Sequence, residues 1–143
     1  MAVNLQWNGK MGFVADPPSG VRFTLDAHPD FGGEGLGPTP VEAMLASIAA
    51  CSAMDVIAIL RKKQQTVDSY TLEVDGDKAA EGDYPRPFTA IRLNHVLSGP
   101  GLDPVAVARA IQLSDDKYCT VMATLKFGPK FSTSWEIKDA VPG

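Results

Sequence analysis

A chain of 143 residues with 45% hydrophobic and 21% charged residues has the composition of one soluble globular domain spanning 1–143. Its net charge of −4, with basic residues scattered along the chain, argues against a nucleic-acid face. The opening MAVNLQWNGK lacks the apolar segment of a secretory signal, so a cytoplasmic setting with reduced thiols is expected.

The chain begins with alternation. Val3, Leu5 and Trp7 share one face, Asn8-Gly9 suits a tight hairpin turn, and Met11, Phe13 and Ala15 form a returning strand. Asp16 to Gly20 make a second turn, and Val21, Phe23 and Leu25 alternate again, which predicts a three-stranded meander. Ala27 to Pro38 is glycine-rich but matches no phosphate-binding pattern, so it is expected to be a flexible lead-in to a helix.

The next stretch, TPVEAMLASIAACSAMDVIAILRKKQ, organises the rest. Thr39 is placed as N-cap, Pro40 as first helical residue and Glu42 as the capping-box partner of Thr39. Asp55 is the one charge between Ala43 and Leu60, and Arg61, Lys62 and Lys63 gather where the helix dipole favours cations. Asp55 inside the run argues against a membrane span. The helix is apolar on every side and must be covered all round. One chain of this size has too little else to do so, which predicts a homodimer.

Beyond the helix, Tyr70, Leu72 and Val74 predict a strand, Gly76 to Pro87 a loop, and Phe88 to Ser98 a second strand with His95 in phase with its apolar residues. His95 reads as a satisfied core residue and His28 as a solvated loop residue. Asp103-Pro104 starts a second helix running to about Leu113. Ser114 to Lys117 reads as a break, Cys119 to Lys126 as a short helix, and Phe131, Thr133, Trp135 and Ile137 as a last strand. The order β-β-β-α-β-β-α-α-β predicts an α+β fold with mainly antiparallel sheet.

Two cysteines stand 68 positions apart. Cys51 lies mid-helix among apolar residues, where burial raises a thiol pKa. Cys119 comes just after Lys117 and falls at a helix start, both of which favour thiolate. Asp55, one turn after Cys51, reads as a hydrogen-bonded structural group. A redox pair and two inert buried cysteines are both open at this point. Two cysteines and two histidines without close spacing make a poor zinc set, so no metal or other cofactor is expected.

Three segments carry a resemblance: WNGKMGFVADPPSG, GPTPVEAMLASIAACSAMDVIAILRKKQQ and AVARAIQLSDDKYCTVMATL. In them the chain resembles the OsmC/Ohr family of thiol-dependent peroxidases, and in particular an uncharacterised OsmC-like subgroup. The resemblance implies an intertwined homodimer in which antiparallel sheets wrap long central helices, with active sites at the dimer interface. It further implies Cys51 as peroxidatic thiol, Cys119 as resolving thiol, organic hydroperoxides as substrates, and a small dithiol or thioredoxin-type reductant. Met44, Ile48 and Met54 would form an apolar lining.

The sequence departs from the family pattern in two places. The hairpin has Lys10 and no arginine where well-studied branches hold their thiolate with one, and the nearest arginine is Arg22. Glu42 lies nine residues before Cys51, whereas the family glutamate lies ten before, where Val41 stands. Glu42 is thus a candidate catalytic carboxylate and a candidate cap. A thiol peroxidase is the expected function. A non-enzymatic ligand-binding protein and a redox sensor are the alternatives.

Overall fold

The structure is a computed structural model in which residues 1–82 and 84–139 are described. Three strands, β1 (Asn4–Trp7), β2 (Phe13–Asp16) and β3 (Phe23–Leu25), lead through a 3-10 turn, Pro29–Phe31, to helix α1 (Pro40–Lys62). Strands β4 (Ser69–Lys78) and β5 (Phe88–Ser98) come next, then α2 (Pro104–Leu113), a π-helical turn (Ser114–Tyr118) and α3 (Thr120–Phe127). The two sheets, β1-β2-β3 and β4-β5, are antiparallel throughout, as the α+β reading expects.

Helix α1 starts where its capping residues put it. Thr39 Oγ1 accepts from the Glu42 N–H at 3.3 Å, and Glu42 Oε2 accepts from the Thr39 N–H at 2.9 Å. Backbone donors that a helix start leaves without partners are thereby satisfied, and Pro40 has no N–H to satisfy. Along α1, Ile48, Ser52, Val56 and Leu60 are buried, one residue per turn on a single stripe. The chain thus covers one side of a helix that is apolar on all sides.

The core forms where that stripe meets α2 and the second sheet. Val56 and Leu60 pack with Ala106 and Ala110 of α2, and Tyr70, Leu97, Val107 and Ile111 close around them. The register Tyr70↔Leu97, Leu72↔His95 and Val74↔Leu93 puts the inward residues of both strands on one face of the pleat. The small side chains of Ala106 and Ala110 let α2 approach α1 closely. The first sheet is less covered. Ala15 is buried at its centre, yet Leu5, Trp7, Phe13 and Phe23 on the same apolar face remain exposed.

Four expectations are corrected. The first hairpin has no tight two-residue turn: Trp7 pairs with Phe13, a five-residue loop, 8–12, separates the strands, and Met11 lies outside β2. Strand β4 runs on to Lys78 through a register shift at Asp77/Lys78, because Gly76 and Asp77 still pair with Ile91 and Ala90. Residues 128–139 form no strand. Phe131, Trp135 and Ile137 do alternate, but no described strand edge of this chain takes their backbone hydrogen bonds, and all three are largely exposed.

The fourth correction concerns the glycine-rich lead-in, which is pinned rather than flexible. Asp26 is buried at the end of β3, and its carboxylate accepts the N–H groups of Ala27, Glu34 and Leu36 at 2.8, 3.0 and 3.2 Å. A Cβ at Gly33 would lie 1.7 Å from the Ala27 carbonyl oxygen, and one at Gly37 would lie 1.9 Å from that of Thr24. Only glycine permits so close an approach to backbone.

The donors that pin the loop also set a pH dependence. The Leu36 N–H and then the Glu34 N–H hold the Asp26 carboxyl below its usual pKa, against the opposing effect of burial. A depressed folded-state pKa contributes stability that is present above the unfolded value, about 3.9, and lost as pH falls through the folded value. Asp26→Asn is therefore expected to be less stable than the native chain at neutral pH. The gap in thermal midpoint should narrow progressively below about pH 4. A gap that stays constant from neutral to acid pH would contradict this role.

Candidate active site

Cys51 comes from the middle of α1, and Cys119 is the N-cap of α3. What brings them together is the turn between α2 and α3. There the helix widens by one residue, so that the Cys119 N–H bonds the Ser114 carbonyl five residues back, at 3.0 Å. Ser114 faces α1 and is completely buried. Its hydroxyl donates to Asp55 Oδ2 at 2.9 Å and lies 3.3 Å from Ser52 Oγ. This small polar latch fixes the turn on α1 and delivers Cys119 to Cys51. Asp55 is the hydrogen-bonded group the sequence suggests; Ser52 and Ser114 are the residues that sequence reasoning missed.

The result is a compact cluster. The Sγ atoms of Cys51 and Cys119 and a carboxylate oxygen of Asp55 all lie within 4.8 Å of one another. Both cysteines are free thiols. They differ in access, since Cys51 is half-buried while Cys119 is only 3% exposed.

The electrostatics of Cys119 reverse the sequence expectation. Burial pushes its thiol pKa up, and Cys51 and Asp55 push it further. The Met122 N–H, which donates to Cys119 Sγ at 3.4 Å, acts in the opposite direction but is outweighed by burial. Lys117 offers no relief, for its ammonium sits over the Tyr118 ring, 5.4 Å from the centroid. Cys119 is thus held as a thiol beside a more accessible cysteine.

The other singled-out residues lie elsewhere. Glu42 is in the capping box, nine residues and about 13 Å of helix from Cys51. Lys10 is paired with Glu34 at 2.8 Å and Arg22 with Asp16 at 3.3 Å, both on the surface. His95 is half-buried, bonded through Nδ1 to the Tyr70 hydroxyl at 2.5 Å, and burial lowers its pKa, so it is a satisfied neutral histidine. His28 is exposed and caps the 3-10 turn by accepting the Asp30 N–H.

An open cleft of about 1150 Å³ is lined by residues one helical turn from each thiol, and neither thiol is part of its lining. Met44 and Ile48 of α1 line it, Ile48 lying one turn before Cys51, together with Phe88 and with Met122 and Leu125 of α3. Arg86 also lines it and is steadied by donating from Nε to the Ala79 carbonyl at 3.1 Å. Of the three apolar residues expected there, Met54 is absent from the lining and is 70% exposed.

A long capped helix, antiparallel sheets and two thiols brought together from distant parts of the chain define a class of two-cysteine α+β protein. The family model of OsmC-like proteins matches residues 32–134, which include both thiols, and the chain belongs to that family. Protein YhfA of Escherichia coli K12 is 33% identical over 137 residues, 96% of this chain and 98% of its own length. A crystal structure of a hypothetical protein from Aquifex aeolicus VF5 matches with a TM-score of 0.75 at 31% identity, over 96% of this chain and 95% of that one. An organic hydroperoxide resistance protein of Legionella pneumophila shares the fold, with a TM-score of 0.60 at 15% identity over 88% of this chain and 90% of its own.

Proposed function

We propose that the chain is a cytoplasmic thiol peroxidase that reduces organic hydroperoxides, with Cys51 as the peroxidatic and Cys119 as the resolving thiol. The observation that carries this is the meeting of two free thiols from distant parts of the chain, with an apolar cleft lined by Ile48 one turn before the more exposed one. The Cys51 thiolate attacks the outer peroxide oxygen, the O–O bond breaks, and the alcohol leaves with a proton. Cys51 is left as sulfenic acid. Cys119, held as a thiol until then, gives up its proton and attacks that sulfur. Water leaves and a disulfide forms. Closing to the bonded distance of about 2.05 Å takes a modest side-chain movement. A small dithiol or thioredoxin-type reductant returns both thiols.

The reading includes a homodimer. The exposed apolar face of the first sheet, the uncovered sides of α1 and the exposed Phe131, Trp135 and Ile137 are surface that a second copy would bury. It also gives the alternation of residues 131–137 a use, as a strand completed by a partner. Light scattering at micromolar concentration is expected to give twice the subunit mass; a stable monomer would contradict this.

Treating the reduced protein with an organic hydroperoxide at neutral pH is expected to give one intramolecular Cys51–Cys119 disulfide, found by peptide mapping without reduction. Both thiols recovered unmodified at peroxide excess would overturn the peroxidase reading. A non-enzymatic ligand-binding or redox-sensing role is the second reading. Its support is that Lys10 and Arg22, the basic residues nearest the family's activating position, are each already paired with a carboxylate.

A further inference from the structure

The cluster at the thiols contains a third ligand-type group that the peroxidase chemistry does not use. Asp55 stands four residues after Cys51, so the two side chains project from one face of α1, one turn apart. Cys119 comes to the same point from the N-cap of α3. The mutual separations, all within 4.8 Å, are close to those of a tetrahedral zinc site. There, two sulfurs at about 2.3 Å from the ion lie about 3.8 Å apart. The Asp55 carboxylate is oriented by the Ser114 hydroxyl at 2.9 Å, the outer support that metal-bound carboxylates have. Sequence spacing hides this set, because one member is an aspartate and the other cysteine is 68 residues away.

We propose that the dithiol form binds one zinc ion per subunit through Cys51 Sγ, Cys119 Sγ and an oxygen of Asp55, leaving a fourth position to water. Binding releases the two thiol protons to solvent and leaves two thiolates on the ion. The disulfide form has no thiolate to offer and cannot bind. Zinc and hydroperoxide therefore compete for the same sulfurs. This regulatory consequence rests on the peroxidase reading, whereas the site itself does not. When a hydroperoxide oxidises the zinc-bound pair, the two thiolates supply two electrons to the O–O bond and join as a disulfide. Two protons from solvent complete the alcohol and water, and the zinc ion is released.

The test uses the full chain, reduced and kept without oxygen, titrated with zinc against a chromophoric zinc chelator. One ion per subunit is expected. Cys51→Ser and Cys119→Ser should each weaken binding by at least about 100-fold. Asp55→Asn should weaken it by about 10- to 100-fold and Ser114→Ala by about 10-fold, as loss of an outer support does. Native protein with the accessible Cys51 alkylated should bind no stoichiometric zinc, and this comparison needs no variant to fold. Cobalt in place of zinc should give a thiolate-to-metal charge-transfer band and the visible spectrum of a tetrahedral site. Failure of the reduced native chain to take up one ion, or equal binding by alkylated protein, would overturn the proposal. So would affinity unchanged in a folded Asp55→Asn variant. No peroxide is present in these measurements, so absence of peroxidase activity leaves their outcome unaffected.

Discussion

Replacing Cys51 by serine is expected to lower hydroperoxide turnover by about a thousand-fold or more, to the background of the protein-free reaction. A serine hydroxyl is not ionised at neutral pH and has no accessible sulfenic state, so both the attack and the intermediate are lost together. Cys119→Ser should behave differently. The first turnover, one peroxide per subunit, proceeds, because the peroxidatic thiol is still present and stays one helical turn from Ile48 in the cleft lining. Continuous turnover with a dithiol then falls, since the sulfenic acid has no partner thiol and further peroxide carries it to sulfinic acid. A stopped-flow assay of peroxide loss separates the two: no burst for Cys51→Ser, and a stoichiometric burst without steady state for Cys119→Ser. A stoichiometric burst in Cys51→Ser, or no burst in Cys119→Ser, would show that the thiols do not have the roles assigned to them.

The second large effect is on stability. Leu60→Ala is expected to cost about 3 kcal/mol. Leu60 is fully buried where α1 meets Ala106 and Ala110 of α2, and the alanines opposite it are too small to move into the space it would leave. The loss includes both the transfer of the removed atoms to water and the cavity left behind. Urea unfolding at fixed protein concentration reads it as a lower midpoint with an unchanged slope. A cost under about 1 kcal/mol would mean that α1 is held chiefly by contacts other than those with α2 and the second sheet.

How much of this can be read from the sequence depends on how local the cause is. Thr39, Pro40 and Glu42 announce the start of α1 because a capping box is a contact between near neighbours. Strand β5 is readable for the same reason, since the period of two from Ile91 to Leu97 is local. The order of the glycine-rich lead-in is not readable, because it comes from Asp26 reaching Leu36 ten residues on. Residues 131–137 alternate as a strand should, yet a strand needs an edge, and periodicity does not say whether this chain supplies one.

The site divides in the same way. Each cysteine can be singled out, but their meeting depends on the π-helical turn and on Ser114 bonding across 59 residues to Asp55, and no spacing rule encodes that. The environment of Cys119 is misleading in sequence for a related reason. Lys117 and the helix start are visible there, whereas the burial that outweighs them is a property of the packed structure. Of the five sequence positions tied to catalysis or activation, Cys51 and Cys119 converge, while Glu42 caps α1, Lys10 pairs with Glu34 and Arg22 with Asp16.

The most direct measurement of the division of labour is sulfenic acid trapping in the two single-cysteine variants. Each is treated with one equivalent of organic hydroperoxide in the presence of a dimedone-type probe and mapped by mass spectrometry. The expected result is label on Cys51 in Cys119→Ser and none on Cys119 in Cys51→Ser, as the accessible thiol reacts and the buried one, held protonated, does not. Label on Cys119 in Cys51→Ser, with none on Cys51 in Cys119→Ser, would contradict the assignment and exchange the two roles.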